Sequence, residues 1–271
     1  MKKTVFTNEQ LEDILQSYNT GKSIYSISKK YGVTHKVINR IVRENNLIKR
    51  DGRKVHFYNE NIFEQIDSPQ KAYWLGFILA DGYVNEKKAF LRIKLQEKDK
   101  NHLYKFVKFI DGDDNMIKSE IHNITGNKQY YVEVNGRNFI KSLNSHNIKQ
   151  AKSSKEQISN KIPFQYKRDY IRGIFDGDGH IEEKRIDLVN SEEVLEYVQK
   201  YLKETCGIHV NKVLEHCNTK RIYIGFNRYK VLKHLYYDGC VSLDRKRKTV
   251  ELLMQVAMLK SGKIGSDSLN I

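Results

Sequence analysis

An α+β fold is what this sequence predicts: two pseudo-symmetric halves, each reading α-β-β-α-β-β-α, behind a small all-α domain. Three observations carry that reading. Apolar residues recur at helical spacing three times between Thr7 and Arg43. Beyond Ser68 the period switches repeatedly between 3.6 and 2. The order of those later segments also runs twice.

The first helix opens at Thr7, with Gln10 where a capping-box partner belongs. Leu11, Ile14, Leu15 and Tyr18 share one face, and Gly21 stops it. The second begins at Ser23, carries Ile24, Ile27 and Tyr31, and ends at Gly32. Thr34 is placed to cap a third, striped by Val37, Ile38, Ile41 and Val42. Three short helices with a tight glycine turn before the last look like a helix-turn-helix, assigned to residues 1–50. Ser23–Arg43 resembles the resolvase and invertase type of that motif. The third helix would then offer His35, Lys36, Asn39, Arg40 and Arg43 to the major groove. A basic linker over 51–67 follows, and the stretch Lys49–Lys54 is expected to lie along a DNA backbone.

Charge points the same way. Across 271 residues, 48 Lys and Arg against 33 Asp and Glu leave +15. Such an excess attracts polyanions, nucleic acid first among them. The basic residues are spread along the chain, which argues against a membrane-surface role. Cys206, Cys217 and Cys240 are odd in number and far apart, so they imply neither a zinc site nor a disulfide framework. No apolar run reaches the length of a membrane span, and the polar start is no secretory signal. A soluble intracellular protein is expected.

The repeat is read in two halves, 68–160 and 161–271. Trp74-Leu-Gly-Phe-Ile-Leu-Ala-Asp-Gly82 opens the first, and Ile171-Arg-Gly-Ile-Phe-Asp-Gly-Asp-Gly179 the second. Arg92-Ile-Lys-Leu then echoes Arg185-Ile-Asp-Leu. Tyr131-Val-Glu-Val echoes Tyr223-Ile-Gly-Phe, and Phe139-Ile-Lys-Ser-Leu echoes Val231-Leu-Lys-His-Leu. Phe90–Gln96, Gln129–Val134, Arg185–Val189 and Arg221–Phe226 alternate like strands. His102–Ile110 and Val194–Leu202 are helical between them.

Small residues four apart, Gly76 with Ala80 and Gly173 with Gly177, lie on one face of each motif helix. Two such helices can meet backbone to backbone. Packing about a pseudo-two-fold axis would set Asp81 beside Asp178, at the negative ends of both helices. Two such carboxylates need a counter-charge, and oxygen donors favour Mg²⁺ or Ca²⁺.

These motifs resemble the LAGLIDADG homing endonucleases over roughly Ser68 to Val250. The first motif departs in having Leu79 where an acid is common. The resemblance implies a saddle of two antiparallel sheets straddling double-stranded DNA with a long, specific target. It implies that Asp81 and Asp178 bind catalytic Mg²⁺, with the carbonyls of Ala80 and Gly177 assisting. Ca²⁺ would occupy the site without supporting cleavage, which in this family leaves short 3′ overhangs. A basic residue late in each half also accompanies such sites, and Lys152 and Lys246 stand at matched offsets, 71 and 68 residues after their acids. Arg92, Lys94, Gln96, Arg185 and Asp187 alternate and are candidates to read bases. One chain supplies both halves, so a monomer is expected. A non-cleaving transcription regulator and an RNA maturase acting on intron RNA remain open.

Overall fold

A computed structural model describes residues 6–19, 22, 24–45, 47, 56, 58–150, 155–210 and 212–260. The chain divides into two compact units, one over 1–59 with 111–113, the other over 60–110 with 114–271.

In the first unit, α1 (Asn8–Asn19), α2 (Ile24–Lys30) and α3 (His35–Glu44) enclose a core of Ile14, Tyr18, Ile27, Ile38, Ile41 and Val42. The capping box forms: Thr7 N donates to Gln10 Oε1 at 3.0 Å, and Gln10 N donates to Thr7 Oγ1 at 3.2 Å. Thr34 stands at the N-cap of α3 but makes no side-chain cap bond, which corrects that expectation. Gly32 takes the left-handed conformation, φ 62°, that the turn before α3 requires. Gly21, Ser23 and Lys49–Lys54 lie outside the described residues.

The second unit holds the repeat. Its first half is α4 (Pro69–Asp81), β1 (Gly82–Asn85), β2 (Phe90–Gln96), α5 (Lys100–Phe109), β3 (Ile117–Ile121), β4 (Lys128–Asn135) and α6 (Arg137–Ser145). The second is α7 (Lys167–Asp178), β5 (Gly179–Ile181), β6 (Ile186–Asn190), α8 (Glu192–Cys206), β7 (Leu214–His216), β8 (Thr219–Ile224) and α9 (Arg228–Leu235). Each half is αββαββα, and the fold is α+β. The two sheets are antiparallel and matched in order, β1-β2-β4-β3 and β5-β6-β8-β7.

Local chemistry explains these boundaries. Ser68 caps α4 by accepting from Lys71 N, and Pro69 occupies the first turn, where its missing N–H costs nothing. Ser191 caps α8 the same way, and Gly207 closes it in the left-handed region. Ala72 to Leu79 are all buried, so α4 is apolar around its whole circumference, as a central helix must be. A last helix, α10 (Asp244–Lys260), follows α9. Residues 155–159 of the first half take no regular structure.

Two expectations are corrected here. Residues 60–67 are no linker: Ile62, Phe63 and Ile66 are buried, Phe63 packs edge-on against Phe139, and its carbonyl bonds His146 Nε2 at 2.9 Å. The strand echo also needs its register adjusted. Lys94 faces Tyr131 and Asp187 faces Tyr223, as the echo requires. Counted from the motif helices, however, Gly82 pairs with Ile93 and Gly179 with Leu188, so the second hairpin is one pair shorter. Arg185 therefore falls in a turn, closed by Glu182 N to Arg185 O at 3.0 Å.

Candidate active site at the helix junction

Helices α4 and α7 touch at their backbones. A Cβ on Gly76 would stand 2.0 Å from the Tyr170 carbonyl oxygen, and one on Gly173 would stand 2.1 Å from that of Tyr73. The contacts are reciprocal, as a pseudo-two-fold axis demands. One turn later a Cβ on Gly177 would meet Ala80 Cβ at 2.3 Å and the Asp81 carboxyl carbon at 3.5 Å. The expected pairs Gly76/Ala80 and Gly173/Gly177 thus form the seam, and Asp81 comes to the residue before Asp178.

Asp81 is exposed and Asp178 half-buried at the two helix ends. Asn190 Nδ2 donates to Asp178 Oδ2 at 2.7 Å, which orients that carboxylate. Asn190 was not among the residues singled out by sequence. Its nearest signal is the Asn ending the alternating run of β6.

Lys246, at the start of α10, is buried beside this junction. Its Nζ donates to the carbonyls of Phe175 at 2.6 Å, Asp176 at 2.7 Å and Gly179 at 2.5 Å, with Gly177 O at 3.5 Å. The ammonium caps the C-terminal end of α7, where the helix dipole favours a cation. Burial pushes its pKa down, and Asp176, Asp81 and Asp178 oppose that shift. Lys152 lies outside the described residues.

Asp176, two residues before Asp178, stands where the first motif has Leu79. It is buried and accepts three donors at 2.7 Å: Tyr73 OH across the junction, Tyr236 OH and Leu243 N. Burial raises its pKa, and these donors with Lys246 hold it back. Tyr73 spends its proton on Asp176, so its oxygen accepts from His102 Nε2 at 2.9 Å. Burial lowers the His102 pKa to about 3, leaving the ring neutral.

The donors at the junction are hard oxygens: two carboxylates and helix-end carbonyls. Among the described residues no group of three or more His, Cys, Asp or Glu converges. Such a set fits a hard divalent cation that takes one or two carboxylates and completes its shell with water or other oxygen donors.

The candidate DNA-contacting residues fall in three places. On α3, His35, Lys36 and Arg43 are exposed. Asn39 and Arg40 are half-buried, Asn39 bonding its own helix at His35 O and Arg40 3.7 Å from Glu44. On β2, Arg92 donates to Glu133 Oε2 through Nε at 3.2 Å and Nη2 at 2.7 Å, Lys94 bonds Glu120, and Gln96 is exposed. In the second half, Arg185 reaches over the Tyr223 ring from its turn. Asp187 departs from the expectation of a base-reading side chain: it is only 6% exposed and lies 3.5 Å from Arg221 Nε.

Known proteins resemble the chain at this level of architecture. Residues 165–235 match the family model described as a LAGLIDADG-like domain. An uncharacterized protein of Methanocaldococcus jannaschii is 23% identical over 280 residues, spanning 93% of this chain and 97% of that one. Full-length DUF199/WhiA from Thermatoga maritima is similar at 18% identity and TM-score 0.48, over 78% of this chain and 68% of the other. I-DmoI in complex with DNA and Ca is similar at 17% identity and TM-score 0.48, over 72% and 99%. Fold and site define a protein of two pseudo-symmetric αββαββα halves joined through their motif helices. The residues that match the LAGLIDADG-like family model lie in its second half, where the second motif stands. No helix among the described residues is long and apolar enough to cross a membrane.

Proposed function

We propose that this protein is a site-specific, divalent-metal-dependent double-strand DNA endonuclease of the homing type, acting as a monomer. One observation carries the reading: two motif carboxylates, Asp81 and Asp178, brought together at two helix C-termini in a chain of net charge +15. Like charges at the negative ends of two dipoles are costly unless a cation is shared.

Asp81 and Asp178 would hold Mg²⁺, with the carbonyls of Ala80 and Gly177 assisting, the latter also 3.5 Å from Lys246 Nζ. The ion supplies Lewis-acid stabilisation of the scissile phosphate and a more acidic water. Asn190, donating to Asp178 Oδ2, would hold that carboxylate in one orientation. Lys246 holds the end of α7 in place and adds positive charge beneath the site. Lys152 keeps the role the family resemblance assigns it, stabilising charge at the phosphate from the first half. The sheets' outer faces and the exposed residues of α3 make the DNA contacts, α3 as the recognition helix of a helix-turn-helix.

Incubating the protein with plasmid carrying its uninterrupted home site tests this. Linearisation with Mg²⁺, and binding without cutting in Ca²⁺, is the expected result. Tight, specific binding with no cleavage in either Mg²⁺ or Mn²⁺ would instead make the protein a DNA-binding regulator.

A further inference from the structure

Arg221 lies on β8 with its side chain 24% exposed, on the sheet face away from the core. Its core-side neighbours Ile222 and Ile224 are buried, so the alternation sends Arg221 and Tyr223 outward. Two side chains hold it by hydrogen bonds, and the carboxylate of Asp187 stands at ion-pair distance from its buried Nε. Nη1 donates to Tyr223 OH at 2.9 Å, Nη2 donates to His216 Nε2 at 2.8 Å, and Nε stands 3.5 Å from Asp187 Oδ2. The guanidinium also lies over the Tyr223 ring, 5.5 Å from its centroid.

The first half has a similar device. Arg92 is gripped by Glu133 and sits over Tyr131 at 5.0 Å. Tyr131 and Tyr223 are the two tyrosines of the strand echo. Each sheet thus presents an arginine beside an acid and over a tyrosine ring; in the second half Arg185 reaches the same Tyr223 ring from its turn.

We infer that Arg221 is a guanine-reading residue of this protein and that Asp187 is the residue that positions it. The inference rests on the DNA-cutting function proposed above. A guanidinium has five N–H groups. With Nη1 and Nη2 each using one, each keeps one more. Two N–H groups on a planar fork match the O6 and N7 acceptors of guanine in the major groove. An arginine already held by its neighbours loses little side-chain freedom on contact, which favours a single base over a general phosphate attraction. Asp187 carries too little exposed surface to read a base itself, and its carboxylate faces the arginine.

The full-length protein, Ca²⁺ present, is used to select from a pool of randomised duplex DNA. Wild type, Arg221→Lys and Asp187→Asn are compared, with melting temperature measured on each. Arg221→Lys is expected to weaken the guanine preference at one position, within the roughly five- to 150-fold span of a bidentate base contact, because an ammonium lacks the planar two-donor fork. Its affinity for non-specific duplex should change little, because Lys keeps the charge. Asp187→Asn should weaken the same preference and no other. If wild type selects a defined sequence and well-folded Arg221→Lys selects the same one with every guanine retained, the inference is overturned while the proposed function stands. If wild type selects no sequence, both fall.

Discussion

The backbone of Gly76 lies against the carbonyl oxygen of Tyr170, so closely that a Cβ there would stand 2.0 Å away. No rotamer change relieves a clash between a Cβ and main chain; the helices must separate. Gly76→Ala is therefore expected to destabilise the protein by at least about 3 kcal/mol. Gly225→Ala, where nothing lies within 4 Å of the added carbon, should be neutral within about 0.5 kcal/mol. Chemical denaturation of both variants checks the pair.

Asp81→Asn and Asp178→Asn are expected to abolish double-strand cleavage nearly completely while sparing DNA binding. Affinity comes mainly from phosphate contacts by Lys and Arg. Folding should be unharmed or slightly improved at Asp81, where repulsion at the helix end is relieved. Asp178→Asn also changes the partner of Asn190, so a small loss there is compatible with the reading. Plasmid linearisation and melting temperature are read on the same preparations, and wild-type cutting by either folded variant would remove the metal-site assignment.

Lys246→Met should be costly in a different way. Its ammonium holds three carbonyls within hydrogen-bond range at 2.5–2.7 Å, with a fourth at 3.5 Å, and lies beside buried Asp176. Removing one partner of a buried charge constellation leaves the other uncompensated, at about 3–5 kcal/mol. Denaturant titration measures the loss. A variant as stable as wild type would mean that the ammonium contributes no net capping.

Acid should weaken the protein through His102. An unfolded histidine takes up a proton below about 6.5, whereas native His102 stays neutral down to about 3. The unfolded state thus binds more protons throughout that window. Stability rises with pH across it and is lost as pH falls from 6.5 toward 3, by up to about 1.4 kcal/mol per pH unit. His102→Gln keeps a donor for the Tyr73 oxygen without a titrating ring, and should flatten the slope in urea titrations between pH 4 and 6.5.

A chain shortened to begin at Glu60 should fold and still cut its site, at raised enzyme concentration. The junction residues all belong to the unit that starts there. The three-helix unit would contribute affinity and site length through linkage. A shortened chain that folds and binds but never cuts would place part of the chemistry in the first unit.

Much of this architecture was written in local patterns. The capping box of Thr7 and Gln10, the matched motif helices, the alternating strands and the small-residue seam are each set by neighbours within four residues or by a repeat visible to comparison. So was the approach of Asp81 to the end of α7, because small residues four apart on each motif helix let the two backbones meet. Tertiary structure decided the rest. A turn one pair earlier in the second hairpin put Arg185 in a loop, and Asp187 sank beneath Arg221. Ile62 and Phe63 entered the core against α6 from a stretch whose basic upstream neighbours read as linker. Lys246 found the α7 carbonyls 67–71 residues away, and Asn190 found Asp178 across a hairpin. Periodicity tells which face of an element is buried. It does not tell which atoms from distant elements meet there, because that depends on register and on the closing of long loops.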